Sequence, residues 1–142
     1  MVAHLDSLDR IKGRNLWWGG HGVPGAWDIE GGAFSLGACL RWWRDQLGRN
    51  ELDEGQRSGR SPYSVMVEHA ALSKPGANGV MFHSFMASQV TPYYDAHSRG
   101  GFLGLGLYHH RADLIRALLE GCAHEMRMVV DSFDSDIEGG IT

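Results

Sequence analysis

The sequence predicts a single domain of the α/β class, on three observations. Short apolar segments bounded by glycine or proline alternate with longer segments of helical period, which is the pattern of strands alternating with helices. A length of 142 residues, 43% of them apolar, suits one hydrophobic core. The strongest helical pattern follows directly after a glycine-flanked apolar segment, within residues 99–120. The few strands predict an incomplete sheet, and therefore a fragment of a larger domain.

The first half of the chain predicts two strands and one helix. Residues 1–5 and 26–30 have the length and composition of short strands, and the glycine- and tryptophan-rich stretch between them is interpreted as a loop. Residues 34–47 repeat apolar side chains near a 3.6-residue period, and Gly48 stands where helices commonly end. Residues 48–61 are too polar to bury and are interpreted as a surface connection.

The second half predicts two helices around a buried strand. Residues 62–72 form a helix with Ser61 as N-cap, and residues 79–85 form the apolar strand. Residues 91–101 are interpreted as loop, and residues 111–133 as the longest helix. The expected inner face of the first helix is Tyr63, Met66, Val67, Ala70 and Ala71; that of the second is Leu114, Ala117, Leu118, Gly121, Cys122, Glu125 and Val129.

Charge and cysteine content exclude several classes of protein. The formal net charge of −4 disfavours a nucleic-acid partner or an anionic membrane partner. No apolar run reaches the roughly 18 residues of a spanning helix, and the N-terminus lacks a signal-peptide pattern. Cys39 and Cys122 are too few for a disulfide scaffold, so we expect a reducing cytoplasm. Both are interpreted as small packed residues rather than nucleophiles.

The eight histidines predict no metal site. His109 and His110 are adjacent, and Glu120 with His124 supplies only two ligands on one helix face. A metal-dependent hydrolase that uses these four residues is therefore the weakest alternative. The remaining histidines show no ligand spacing: His4, His21, His69, His83 and His97.

Glycines and aliphatic residues recur over residues 100–105, and Asp113, Ala117 and Glu120 follow on the next helix. This pattern resembles the second signature of the FGGY carbohydrate kinases, in particular the xylulokinase-like branch. That signature combines glycines and aliphatic residues with a polar, small and acidic pattern on the following helix. Leu118 is larger than the pattern usually allows. The matching positions are Gly100, Phe102, Gly104, Leu105, Asp113, Leu114, Ala117, Leu119 and Glu120.

Neighbouring segments extend the resemblance over residues 26–133. Residues 75–79 match a Pro-Gly-x-x-Gly turn, and residues 37–42 resemble a Gly-Ala-x-x-x-Trp helix. Thr91-Pro92 with Asp95 and Arg99-Gly100 resembles a loop of the family. Ser88-Gln89-Val90 departs from it, because the family often has Gly-Glu-Arg there.

The resemblance implies a partial ribonuclease-H-like (actin-like ATPase) domain, with residues 1–142 as part of the C-terminal domain of a sugar kinase. It implies that ATP and Mg²⁺ are cofactors of the full enzyme, and that Gly37 and Arg41 contact ATP. It assigns no catalytic residue to this chain. The family's catalytic Asp and Gly-Thr phosphate loop come before the matched region, and its glycine-rich adenosine segment comes after it. Glu120 is expected to pack the helix.

The resulting hypothesis is a piece of an ATP-dependent carbohydrate kinase that transfers the γ-phosphate to a sugar or polyol hydroxyl, with a xylulose-like substrate. The piece alone is expected to be inactive. The alternative is a non-catalytic binding or interaction module on a kinase-like scaffold. A truncated sheet has exposed edges that could pair between two copies of the chain, so a homodimer is a further prediction.

Overall fold

The chain begins with a three-stranded antiparallel sheet in the computed structural model, which describes residues 1–140. Strands β1 (Val2–Leu5), β2 (Trp17–Gly20) and β3 (Trp27–Glu30) lie in the order β1-β3-β2. The strands predicted over residues 1–5 and 26–30 are confirmed as β1 and β3. The interpretation of the intervening stretch as loop was wrong in part, since β2 lies within it. Tryptophan favours strands, and pairing with β3 satisfies the backbone groups of β2.

Three helices follow, and one of them was not predicted. Helices α1 (Leu36–Gln46) and α3 (Pro62–Ala70) agree with the sequence within two residues at each end, and the Ser61 hydroxyl caps α3 by accepting from the Tyr63 N–H. The prediction of a surface connection over residues 48–61 was wrong, because α2 (Arg49–Ser58) occupies it. Its Glu51 is completely buried in an ion pair, which is a tertiary effect.

The second sheet is a two-stranded ribbon. Strands β4 (Met81–His83) and β5 (Gly101–Leu103) are antiparallel, with Phe82 opposite Phe102. β4 is shorter than the predicted strand over residues 79–85, since a 3-10 turn at Ala77–Gly79 precedes it. Helix α4 (Arg111–Asp136) ends three residues beyond its predicted end at residue 133.

Helix α4 connects two hydrophobic cores. Its first half contributes Ile115 and Leu118 to a core shared with α1, α3 and β4. Its second half contributes Val129 and Phe133 to a core under the N-terminal sheet. The predicted inner face of α4 is largely confirmed, whereas Leu114 and Cys122 are half-buried.

The predicted inner face of α3 was wrong in part. Met66 and Ala70 are buried as expected, but Tyr63, Val67 and Ala71 are exposed. Val65 is completely buried instead. The reason is α2, which packs against α3 in addition to α4 and so covers a second side of it. Within residues 1–140, no helix combines the length and the apolar character needed to cross a bilayer.

Candidate functional site

Asp113 of the signature region holds the start of α4 against the turn before β4. Its carboxylate accepts hydrogen bonds from the Ser73 hydroxyl (2.6 Å), the Asn78 side-chain amide (2.7 Å) and the His110 backbone N–H (2.8 Å). These donors, led by Ser73, hold the pKa of Asp113 below its ordinary value despite burial. Asp113 therefore stays ionised near the helix N-terminus, and its role is structural.

Glu120 also has a packing role. Both of its carboxylate oxygens lie 3.1 Å from the Gly76 backbone N–H, and Oε1 accepts from Nε of Arg116 at 2.6 Å. Glu120 thus ties α4 to the glycine turn that precedes β4. These contacts agree with the expectation that Glu120 packs the helix.

Two glycines, Gly104 of the signature and Gly121 on α4, lie where a side chain would collide with backbone. A Cβ on Gly104 would lie 2.6 Å from the Gly79 carbonyl oxygen, and φ of Gly104 is +80°. A Cβ on Gly121 would lie 2.2 Å from the Phe82 carbonyl oxygen. Both distances are far below van der Waals contact, so these glycines allow α4 and the loop after β5 to approach β4. Phe102 fills the space beside Phe82, with ring centroids 4.7 Å apart.

A buried polar cluster connects α1, the end of β4 and α4. The Ser35 hydroxyl donates to the Ser84 carbonyl oxygen (2.5 Å), and the Cys39 thiol lies 3.3 Å from that oxygen. The Ser84 hydroxyl in turn donates to the carboxylate of Glu125. Burial raises the pKa of Glu125, and the Ser84 bond offsets this only in part.

The two cysteines belong to the same cluster. Cys39 is completely buried and Cys122 is half-buried, in agreement with the expectation of packed residues. A hydrogen bond from the Cys122 thiol lowers the pKa of Cys39, while that contact and burial raise the pKa of Cys122. The completely buried thiol of Cys39 has no access to a substrate.

The raised pKa of Glu125 predicts a pH effect on stability. A carboxyl whose pKa is higher in the folded state stabilises the protein at low pH, and that contribution is lost as pH rises through the folded-state value. Glu125→Gln is therefore expected to be more stable than the wild type at pH 7, and not at pH 4. Urea unfolding at both values measures this, with exposed Glu30→Gln as the control. An equal effect of Glu125→Gln at both values contradicts it.

A cavity of about 300 Å³ lies between β4 and α4. Its walls are mainly apolar, with Val80, Phe82 and Met128 among them, and His83 and His124 add polar edges. Neither of the nucleotide-binding residues predicted from the resemblance lines it. The cavity is thus separate from the predicted nucleotide-binding surface at Gly37 and Arg41.

Gly37 and Arg41 lie on the exposed surface of α1, one helical turn apart. A Cβ on Gly37 would meet nothing within 4 Å, so the surface above it is open. Ser35 makes no side-chain cap and no acidic residue lies in the first turn of α1. The first amide groups of α1 therefore keep their capacity to donate to a ligand.

The structure separates the four residues of the hydrolase hypothesis. Nδ1 of His109 accepts from the Gly106 N–H (2.8 Å) and Nε2 lies 3.1 Å from the Asn78 carbonyl oxygen. Among residues 1–140, the His109, His110, Glu120 and His124 side chains form no cluster with metal-ligand geometry. Three other residues do, namely His4, His21 and Asp28. Sequence spacing missed them because antiparallel pairing of β1 with β3 brings them together.

Motif and fold together define a class of protein. The signature residues build a ribbon with a helix packed closely on it, beside an open helix face, and this is the framework of sugar kinases with the actin-like ATPase fold. Comparison with known proteins makes the assignment specific. The model of the FGGY family of carbohydrate kinases, C-terminal domain, matches residues 2–140. The chain belongs to this family.

Curated relatives and solved structures agree with the family. The gluconokinase of Bacillus subtilis is 33% identical over 116 residues, covering 82% of this chain and 23% of that protein. The xylulose kinase of Staphylococcus epidermidis is 32% identical over 112 residues, covering 79% and 21%. The crystal structure of a xylulose kinase from Brucella ovis superposes with a TM-score of 0.69 at 26% identity, covering 98% and 26%. The chain thus spans about a quarter of the length of these relatives.

Proposed function

We propose that this chain contributes part of the nucleotide site of an ATP-dependent carbohydrate kinase, in which the γ-phosphate passes to a sugar or polyol hydroxyl. The observation that carries the proposal is the exposed α1 surface at Gly37, which follows the family motif and is open to a ligand. Glycine allows a nucleotide to reach the backbone, and Arg41 one turn further along offers a positive charge to phosphate oxygens. No carboxylate lies in the first turn of α1. Mg²⁺ would therefore depend on the nucleotide and on residues outside this surface.

The proposed substrate is an open-chain polyhydroxy compound of the xylulose type. The names of the similar proteins support this class, since they include xylulose kinases, a gluconokinase and glycerol kinases. Phosphoryl transfer needs phosphate-binding loops, a metal and a residue that accepts the hydroxyl proton. Because none of the residues matched here fills the last role, the chain alone is expected to give no ADP release with pentoses or polyols. Robust turnover by the 142 residues would contradict the proposal.

The nucleotide contact is tested at Gly37. ATP at millimolar concentration is expected to shift the backbone amide signals of the first two turns of α1 in heteronuclear NMR spectra of the chain. Gly37→Leu should abolish these shifts, because its side chain fills the open surface, while the fold is retained. Arg41→Ala should weaken them, and Arg49→Ala on α2 serves as the matched exposed control. Shifts that are absent, or equal in Gly37→Leu and wild type, contradict the assignment.

The alternative of a non-catalytic binding or interaction module makes a different prediction for the same titration, namely no saturable ATP response at α1. We also propose a cytoplasmic protein that uses neither a nucleic acid nor a membrane as partner. Homodimer formation stays a prediction, and sedimentation equilibrium of the chain measures it.

A further inference from the structure

The N-terminal sheet brings two imidazoles and a carboxylate together at its surface, where both histidines are exposed and Asp28 is half-buried. His4 on β1 is directly opposite Asp28 on β3, and His21 follows the last residue of β2. One ligand atom from each of the three lies within 4.8 Å of the others. The His4 and His21 rings are in edge contact, with centroids 5.2 Å apart. Backbone pairing on both sides of β3 fixes this juxtaposition.

We propose that His4, His21 and Asp28 form a binding site for a divalent transition-metal ion, with Zn²⁺ as the representative ion. Two imidazoles and one carboxylate are a donor set that suits zinc and its neighbours. Zinc–ligand bonds of about 2.0–2.2 Å require the three donors to move closer, which rotation of the exposed His4 and His21 side chains allows. Since the site faces solvent, water completes the coordination. This inference is independent of the kinase assignment.

The charge around the site favours a cation. No ion pair engages Asp28 among residues 1–140, so its carboxylate does not have to leave a basic partner when a metal binds. The neighbouring Glu30 on the same strand adds a second negative charge. The three ligands come from three different parts of the sheet, so a bound ion would cross-link β1, β3 and the segment after β2.

One hydrogen bond in the sheet supplies a specific reporter. Nδ1 of His21 accepts a hydrogen bond from the Val23 backbone N–H at 2.9 Å. If Nδ1 binds the metal, its lone pair is no longer available to Val23. If Nε2 binds the metal, the neutral ring carries its proton on Nδ1, which then cannot accept. Metal binding through either nitrogen therefore removes the acceptor of the Val23 amide.

The test is a titration of the full 142-residue chain with ZnCl₂, followed by calorimetry and by heteronuclear NMR. We expect one saturable site, a shift of the Val23 amide signal, and a rise in melting temperature on zinc addition. His4→Gln, His21→Gln and Asp28→Asn should each weaken zinc binding at least about tenfold, because a ligand is lost from a set of three. His97→Gln, at an exposed histidine elsewhere, should leave affinity unchanged.

Two outcomes overturn the proposal. One is the absence of saturable binding by the wild type. The other is binding that His97→Gln weakens as much as His4→Gln does, which would indicate general surface histidine binding. His4 and His21 are exposed and Asp28 is half-buried, and each substitution keeps a polar side chain of similar size, so the variants are expected to keep the fold. A well-dispersed NMR spectrum shows that a variant is folded. A loss of zinc affinity in that variant then reports the loss of the metal ligand.

Discussion

Arg111→Met is expected to destabilise the protein by about 2–3 kcal/mol. This is less than the loss of about 3–5 kcal/mol for a fully buried ion pair, because the Arg111 side chain is 36% exposed and His69 still contacts Glu51. Nε of Arg111 donates to Oε1 of Glu51 at 3.1 Å, and Nη2 lies 2.5 Å from Oε2. Nη2 also donates to the Leu47 carbonyl oxygen at 2.6 Å. Because Glu51 is completely buried, the variant leaves a charge out of contact with water. The Arg111 guanidinium also lies 5.1 Å from the centroid of the Trp43 ring, so the loss includes this cation–π contact and the Leu47 hydrogen bond as well as the ion pair.

The pH dependence of this effect has a defined sign. Burial tends to raise the pKa of Glu51, but the Arg111 and His69 contacts outweigh it and the pKa lies below its ordinary value. The pair therefore stabilises the fold at neutral pH, and that contribution is lost as pH falls through the folded-state value. Without Arg111, burial favours the neutral carboxyl. The difference between wild type and Arg111→Met should thus be larger at pH 7 than at pH 4.

Two further variants complete the test by urea unfolding. Arg127→Met breaks the exposed pair with Asp131 on the same helix, and should cost about 0.5 kcal/mol or less. Adding Glu51→Gln to Arg111→Met removes the buried charge and should recover part of the loss. A loss in Arg111→Met no larger than that in Arg127→Met would show that the buried pair is not the element that holds α2 on α4.

Gly121→Ala is the second change with a large expected effect, a destabilisation of about 3 kcal/mol. The added Cβ would lie 2.2 Å from the Phe82 carbonyl oxygen, which belongs to backbone and has little freedom to move. Helix α4 and strand β4 would have to separate, and the core between them would lose contacts. The helix propensity of alanine offsets only about 1 kcal/mol of this cost.

The matched control is Gly37→Ala in α1. It makes the same chemical change within a helix, but its Cβ meets nothing within 4 Å. It is therefore expected to stabilise the protein by up to about 1 kcal/mol. Thermal and urea unfolding of the two variants should change stability in opposite directions. Equal effects at the two positions would contradict the close approach of α4 to β4.

Local patterns predicted several elements because their causes are local. Ser61 and Pro62 mark the start of α3, and the apolar period of α4 follows its own contact face. The signature around Gly104 and Asp113 predicts the family from the sequence alone. The structural roles of these residues follow only from the tertiary contacts. The sequence does not show that Asp113 accepts a hydrogen bond from Ser73, or that Gly121 packs against the backbone of Phe82.

The sequence by itself determined the α/β class, most of the helices and strands, and the family. It also placed Gly37 and Arg41 on one helix, because these properties depend on periodicity and on motifs. Only the tertiary structure revealed helix α2, strand β2 and the proximity of His4, His21 and Asp28. Helix α2 is too polar to predict from hydrophobic period, and it is stabilised by a buried carboxylate whose partner Arg111 lies 60 residues away. Strand pairing likewise unites side chains that no spacing along the chain connects.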